Sequence, residues 1–254
     1  MIDPGTVLRV DGRVALVTGA TKGIGRAIAE ALAVAGASVC VNARKPDELA
    51  ETATALEALG AKVTTAAGSA GDPAVIEAAA AHCVEALGGL DILVNNAATN
   101  PQFGPLVEAD MGAVEKVWST NLAGPLRFAQ AAWAHWMRDH GGVILNVVSV
   151  GGIRPGPSIG AYNVSKAALA HLTRQLALEL APGVRVNAVA PALVKTDMAR
   201  ALWEPNEEAM ARMHPLGRLG TPDDIASAAL FLVSDASSWM TGEVVVIDGG
   251  AAVR

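Results

Sequence analysis

The chain has 254 residues, of which 52% are hydrophobic and 17% charged, which suits one large α/β domain. A formal net charge of −6 without a basic tract argues against a nucleic-acid partner, and polar residues interrupt every long apolar run, which argues against a membrane span. The five histidines are scattered and no Cys-x-x-Cys or His-Glu-x-x-His motif occurs, so a metal site has little support.

The cysteines and the chain ends indicate the compartment. Cys40 lies in a predicted strand and Cys83 in a predicted helix, so we expect two buried thiols rather than a disulfide. The first residues, MIDPGTVLRVDGR, lack the basic-then-apolar order of a secretory signal, and the ending AAVR matches no targeting sequence. We therefore expect a cytoplasmic protein.

The segment RVALVTGATKGIGRAIAEALAVAG predicts a strand, a glycine-rich turn and an amphipathic helix. Gly19, Gly23 and Gly25 form G-x-x-x-G-x-G, which differs from the G-x-G-x-x-G dinucleotide fingerprint but suits the same physics. A backbone without side chains can approach a pyrophosphate, and the following helix offers free N–H groups to it. The alternative is a turn needed only for tight packing, but the flanking strand and helix favour nucleotide binding.

A second strand, ASVCVNAR, ends at Ala43-Arg44-Lys45, where NAD-specific sites carry an acid for the ribose 2′-hydroxyl. The helix PDELAETATALEALG, the strand AKVTTAA and the helix DPAVIEAAAAHCVEALGG follow. A fourth strand, LDILVNNAA, ends in Asn95 and Asn96. Asparagines there often only tie loops together, but ligands also bind at the carboxyl edge of a doubly wound sheet.

The next helical stretch, from about residue 110 to residue 140, contains Asn121 and Gly124-Pro125. A proline there should bend the helix or free backbone groups near Asn121. The segment VILNVVS then predicts a buried strand that ends at Ser149.

Tyr162 is the only tyrosine, and Lys166 follows it four positions later in the helical stretch AYNVSKAALAHLTRQLALEL. Residues four apart lie on the same helix face. A neighbouring cation favours the phenolate, so we expect a lowered pKa for Tyr162 and a proton donor and acceptor near neutral pH. The alternative is a packed tyrosine and a solvated lysine, but a hydroxyl at Ser149 favours an active site.

After the strand VRVNAVA, residues 191–220 are irregular and helical by turns, with Met198, Trp203, Met210 and Met213 as candidates for an apolar lid. The helix TPDDIASAALFLVS and the strand VVVIDGG complete the chain. Seven strands alternating with helices predict an α/β fold: a doubly wound, Rossmann-like, seven-stranded parallel sheet with helices on both faces. Without a linker or repeat, we expect a single domain over residues 1–254.

These segments together resemble the short-chain dehydrogenase/reductase family over nearly the whole chain. The resemblance rests on TGATKGIG at 18–25, NNA at 95–97, Asn121, Ser149, YNVSK at 162–166, PALVKT at 191–196 and TGEVVVIDGG at 241–250. Any one of these motifs is weak evidence for the family, whereas the whole set in this order is specific to it. Within the family, the chain is most similar to bacterial 3-oxoacyl-thioester reductases and NADPH-dependent carbonyl reductases; TNPQFGPL and ALW resemble the latter.

The resemblance implies a role for each matching residue. Tyr162 would protonate the carbonyl oxygen as hydride arrives, and Ser149 would hydrogen-bond that oxygen. Lys166 would lower the tyrosine pKa and hold the nicotinamide ribose, and Asn121 would keep a water that connects Lys166 to solvent. The residues implied to bind the dinucleotide are Gly19, Thr21, Lys22, Gly23, Ile24, Gly25, Arg44, Asn96, Ala97, Tyr162, Lys166, Val194 and Thr196.

The chain departs from the family pattern at three places. Ala98 and Ala192 replace glycines at turns over the cofactor, and Ser69-Ala70 replaces an acidic residue near the end of the third strand. An added methyl group is tolerable at negative φ and costly at positive φ. We expect these changes to affect cofactor affinity more than chemistry.

Our main hypothesis is an NADP(H)-dependent reductase of a small-molecule ketone or acyl thioester, because Arg44 and Lys22 suit a 2′-phosphate. The first alternative is an NAD(H)-dependent alcohol or hydroxysteroid dehydrogenase. The second is a dinucleotide sensor without catalysis, which the complete Asn121, Ser149, Tyr162 and Lys166 set argues against.

We also expect a homotetramer, because helices 110–138 and 160–181 are apolar on more than one face. On the first, the apolar residues include Leu126, Phe128, Trp133 and Trp136. The resemblance implies that these helices pair in a four-helix contact and that the last strand makes a second interface.

Overall fold

Seven segments of the chain form strands, and the residues of the five inner strands are mostly buried, as the two covered faces of a parallel sheet require, whereas every residue of the two edge strands is half-buried or exposed. The computed structural model describes residue 3 and residues 6–253. The strands are β1 Val14–Thr18, β2 Ser38–Ala43, β3 Val63–Ala67, β4 Ile92–Asn95, β5 Gly142–Val147, β6 Val184–Pro191 and β7 Val244–Ile247. All pairings are parallel, in the order β3-β2-β1-β4-β5-β6-β7.

Helices cover both faces of this sheet. They are α1 Gly23–Val34, α2 Pro46–Ala58, α3 Pro73–Leu87, α4 Met111–Trp118, α5 Gly124–Ala132, α6 Arg138–His140, α7 Gly160–Leu180, α8 Arg200–Trp203, α9 Glu207–Arg212 and α10 Pro222–Val233. One core layer contains Leu32 of α1 and Ile225 of α10, and the other contains Ile76 of α3 and Phe128 of α5. The predicted doubly wound, Rossmann-like architecture with seven parallel strands is therefore confirmed.

The long helical stretch is interrupted where the sequence places its proline. π-helical turns at Ser119–Ala123 and Trp133–Met137 separate α4, α5 and α6. Pro125 has no N–H to give to the carbonyl of Asn121, four residues earlier, so an α-helical hydrogen bond cannot form there. The bulge puts Asn121 at the bend, in agreement with the predicted disturbance.

Four apolar side chains of this stretch pack within the chain itself. Phe128 is 1% exposed inside the core, and Leu126, Trp133 and Trp136 pack against the same cluster. The contact expected between copies of the chain through this stretch stays a prediction. Among the described residues, no helix has both the length and the apolar character needed to cross a bilayer.

The strand order reverses between β1 and β4, and the helices that follow these two strands pack on opposite faces of the sheet, which leaves a crevice at their carboxyl ends. The glycine-rich turn follows β1, Asn96 follows β4, and Ser149 lies beyond the end of β5. Cys40 and Cys83 are free, buried thiols, as expected.

Candidate active site

The turn after β1 forms a cradle for an anion. Gly19 and Gly23 have φ of +63° and +54°, which L side chains rarely adopt, and a Cβ on Gly19 would lie 3.0 Å from the Ala97 Cα. The helix α1 begins directly after the turn, with no side-chain cap at Lys22 and no acidic residue in its first turn. Its first N–H groups are therefore available to a phosphate, and the residues present fit a dinucleotide.

Asn96 fixes this cradle from the neighbouring strand. Its Nδ2 donates to the carbonyls of Thr18, at 2.9 Å, and Gly19, at 3.1 Å. The hydroxyl of Thr18 accepts from the backbone N–H groups of Asn96 and Ala97, each at 3.0 Å, and donates to Val94. Asn96 thus shapes the binding turn rather than reaching outward. Sequence reasoning missed Thr18, whose only signal is a hydroxyl ending a buried strand.

The predicted cations lie near the end of β2, with an acid among them. Glu48 Oε1 is 3.0 Å from Lys22 Nζ and 2.8 Å from Lys45 Nζ, and Thr21 donates to Glu48 Oε2 at 3.2 Å. Arg44 is exposed and has no hydrogen-bond or ion-pair partner among the residues described. Sequence reasoning named the cations and missed the carboxylate that holds two of them.

The side chain of Ile24, another residue predicted to bind the dinucleotide, packs against the core.

The segment after β6 approaches the glycine-rich turn from the opposite side. A Cβ on Gly23 would lie 3.0 Å from Thr196 Cγ2, so this threonine borders the turn. Trp203 of the predicted lid donates its indole N–H to the Thr196 carbonyl at 3.4 Å. Val194 is buried and bridges to Gly220. The lid thus begins at residues predicted to bind the dinucleotide.

Ser149, Tyr162 and Lys166 come together at the sheet edge. The Ser149 hydroxyl lies near enough to the Tyr162 phenol to lower its pKa, and it accepts from the backbone N–H of Gly151 at 3.1 Å. Lys166, 1% exposed, donates to the Val147 carbonyl at 2.6 Å, and its Nζ lies 5.6 Å from the centroid of the Tyr162 ring. The predicted proximity of phenol and ammonium on one face of α7 is present.

The ionisation of this pair differs from the expectation. Burial raises the pKa of Tyr162 to about 12, against a smaller lowering by the Ser149 hydrogen bond. Burial lowers the pKa of Lys166 to about 7. A lysine that loses its proton near neutrality gives the phenolate little support, so the expected lowering of the tyrosine pKa is wrong for the free chain. The chain instead presents a neutral phenol at neutral pH.

Asn121 is wholly buried at the π-helical bend, and its side chain joins two segments. Its Oδ1 accepts from Thr99 N at 2.9 Å, and its Nδ2 donates to Thr99 O at 3.0 Å and to Ser165 Oγ at 3.1 Å. Every hydrogen of the amide is therefore used within the protein. The Asn121 backbone carbonyl receives no α-helical hydrogen bond from Pro125, which has no N–H to donate.

The two alanines that replace family glycines are accommodated without strain. Neither Ala98 nor Ala192 is among the residues with positive φ; of the described non-glycine residues, only Ser158 has one, at 68°. The added methyl groups therefore carry no backbone penalty.

Comparisons with known proteins agree with this geometry. The model of the family described as enoyl-(acyl carrier protein) reductase matches residues 19–252. Dehydrogenase/reductase SDR family member 4 of Sus scrofa is 41% identical over 248 residues, covering 96% of this chain and 89% of that protein.

Two solved structures are similar along almost their whole length. A putative short-chain alcohol dehydrogenase from Sinorhizobium meliloti 1021 has a TM-score of 0.93 at 38% identity, covering 98% of this chain and 99% of the other. A 7α-hydroxysteroid dehydrogenase, solved with NADH and 7-oxo glycochenodeoxycholic acid, has a TM-score of 0.93 at 34% identity, with 98% of each chain covered. The chain belongs to the short-chain dehydrogenase/reductase family. It is an oxidoreductase that uses a nicotinamide dinucleotide and interconverts alcohols and carbonyl compounds.

Proposed function

We propose that this member of the family is an NADP(H)-dependent reductase of a ketone, acting as a carbonyl or 3-oxoacyl-thioester reductase. The observation that carries the proposal is the neutral Tyr162 phenol, which lies with Ser149 and Lys166 at the sheet edge beside a cradle suited to a dinucleotide. A protonated phenol can give its proton at neutral pH to an oxygen that becomes an alkoxide. The reverse reaction needs a phenolate, which burial disfavours here.

Each residue of the site has a role that follows from its position. The bound dinucleotide supplies the hydride. Ser149 Oγ, held by Gly151 N–H, donates a hydrogen bond to the carbonyl oxygen where negative charge develops. Tyr162 transfers its proton to that oxygen. Lys166, with its pKa near 7, returns a proton to the site, and the Asn121 backbone carbonyl holds the water that links Lys166 to solvent.

The dinucleotide would be held mainly by the cradle and its borders. The proposed binding residues are Gly19, Thr21, Lys22, Gly23, Ile24, Gly25, Arg44, Asn96, Ala97, Tyr162, Lys166, Val194 and Thr196. We assign NADP(H) because Arg44 is unpaired among the described residues, and its planar guanidinium can bind a phosphate by two hydrogen bonds. The position that carries an acid in NAD-specific sites holds Ala43.

A second candidate is an NAD(H)-dependent alcohol or hydroxysteroid dehydrogenase. It is favoured by the similarity to the 7α-hydroxysteroid dehydrogenase solved with NADH and by the acid Glu48 among the cations.

The two candidates are separated by kinetics with both cofactors. Acetoacetyl thioesters, diketones, sugars and steroids should be tested with NADPH and NADH, and kcat/KM compared for the wild type and for Ala43→Asp combined with Arg44→Ile. We expect a wild-type ratio above one that moves towards NADH in the double variant. A ratio below one, or one that the double variant does not move, would contradict the NADP(H) assignment.

We further propose a cytoplasmic homotetramer. Val164 and Leu178 on α7 are 47% and 78% exposed, Trp118 at the end of α4 is 42% exposed, and Trp239 before β7 is 99% exposed. Large apolar side chains left open on these elements suit contacts with further copies of the chain. The proposal rests on these exposed side chains, because Leu126, Phe128, Trp133 and Trp136, which the sequence offered for this contact, pack within the chain.

A further inference from the structure

Glu48 occupies the centre of the cation cluster at the end of β2. It lies in the first turn of α2, and one carboxylate oxygen contacts both Lys22 and Lys45, at 3.0 and 2.8 Å. The other oxygen accepts from the Thr21 hydroxyl at 3.2 Å. The carboxylate therefore bridges the glycine-rich turn and the beginning of α2.

These two segments border the ribose of the adenosine half in dinucleotide-binding folds. The acid for a ribose 2′-hydroxyl usually ends the second strand, where this chain has Ala43. Glu48 comes from the following helix and reaches back to the same turn. The cluster thus contains both kinds of group: cations that suit a 2′-phosphate, and a carboxylate that suits a 2′-hydroxyl.

We propose that Glu48 is a specificity-determining residue that weakens NADP(H) binding, because its carboxylate competes with the 2′-phosphate for Lys22 and Lys45 and repels it. The inference rests on the proposed function, in which these cations receive that phosphate. A phosphate monoester carries about −1.5 to −2 charges at pH 7, so it has to displace an acid that already holds its partners. A 2′-hydroxyl is neutral and donates a hydrogen bond, which a carboxylate accepts.

Removing this one charge should change binding selectively. Like charges a few Å apart near a protein surface repel each other strongly enough to change an affinity by roughly tenfold. We therefore expect Glu48→Gln to tighten NADP⁺ binding about 10-fold and to change NAD⁺ binding less than about twofold. Glutamine keeps the size of the side chain and the acceptor for Thr21.

The test is titration calorimetry at low ionic strength with NADP⁺, NAD⁺ and the fragments adenosine 2′,5′-bisphosphate and adenosine 5′-monophosphate. Glu51→Gln is the matched control, because Glu51 is an exposed acid of the same helix that forms no hydrogen bond or ion pair with either lysine and acts on Lys22 only through a longer-range Coulombic attraction. We expect only Glu48→Gln to tighten the two ligands that carry a 2′-phosphate, with a gain that shrinks as salt is added.

The outcomes separate this inference from the proposed function. If the wild type binds both dinucleotides but Glu48→Gln leaves NADP⁺ affinity unchanged or lowers it, Glu48 only orders the lysines and the inference is overturned. An equal gain in Glu51→Gln also overturns it, because the effect is then the net charge of the helix. A wild type that binds neither dinucleotide overturns the inference together with the proposed function.

Discussion

Replacement of Lys166 by methionine should remove a pH dependence of stability that the buried amine imposes on the free chain. The side chain is 1% exposed, and burial lowers its pKa to about 7 in the folded state, from 10.5 when unfolded. Between these pH values the unfolded chain holds more protons than the folded one, so the free energy of unfolding rises with pH. Below pH 7 the full cost of burying the charge is present, and above 10.5 it is absent.

The slope can be estimated from the same shift. One proton released on folding changes the free energy of unfolding by about 1.4 kcal/mol per pH unit, so Lys166 should contribute about 2 kcal/mol between pH 7 and pH 9. Tyr162 does not interfere in that range. Its pKa is raised to about 12 in the folded chain, from 10.0, so its own contribution is lost only as the pH rises from about 10 to 12.

The assay is urea unfolding of the wild type and Lys166→Met at pH 7, 8 and 9, without dinucleotide. We expect the variant to be relatively more stable at pH 7 and to lose about 2 kcal/mol of that advantage by pH 9. Lys62→Met removes an exposed lysine and should keep the pH dependence of the wild type. If the curves of the wild type and Lys166→Met stay parallel from pH 7 to pH 9, the amine is charged in the folded protein and the reasoning fails.

Three further predictions test the site and the assembly. Tyr162→Phe should lower turnover about 10²-fold or more and leave dinucleotide binding in place, as measured by reduced-nicotinamide absorbance and titration; a variant with more than half of wild-type turnover would exclude this phenol as the acid. Asn121→Ala should lower the free energy of unfolding by about 3 kcal/mol, since it removes three hydrogen bonds of about 1 kcal/mol each to Thr99 and Ser165. Ser165→Ala removes two hydrogen bonds, the one accepted from Asn121 and the one donated to the Tyr162 carbonyl, and should cost about 2 kcal/mol in the same denaturant series; a larger loss than in Asn121→Ala would contradict this account. Light scattering at micromolar concentration should show a tetramer, and a monomer alone would contradict the proposed assembly. We expect the tetramer to cover Trp239, which is exposed in the single chain.

The sequence predicts the fold well because its strand and helix signals are local. Each of the seven strands lies where an apolar segment predicts it, and α10 starts at Thr221-Pro222 with a reciprocal cap between Thr221 and Asp224. The proline of the central helix also marks its bulge correctly. The packing partners of this stretch are distant in sequence, so the burial of Phe128 could not be predicted from a helical period alone.

The candidate site is predictable in its residue types and much less so in their interactions. Tyr162 and Lys166 are named correctly as neighbours, because four positions on a helix fix them on one face. Their pKa shifts depend on desolvation, which requires the surrounding structure. The resemblance assigns Asn121 to a bound water, yet the hydrogen-bonding groups of its side chain are all used by backbone and hydroxyl groups distant in sequence.

Cofactor preference shows most clearly why the spacing of residues in the sequence is insufficient to predict a binding site. The chain position of Ala43 predicts the absence of an acid at the ribose, and Arg44 and Lys22 predict a phosphate site. In the folded chain, an acid from another element lies beside these cations, because Glu48 in the first turn of α2 contacts Lys22 and Thr21 of the glycine-rich turn. In the proposed site, attraction by three cations and repulsion by one carboxylate would act on the same 2′-phosphate. The proposed preference for NADP(H) would then be a difference between opposing terms, and the removal of Glu48 should increase it.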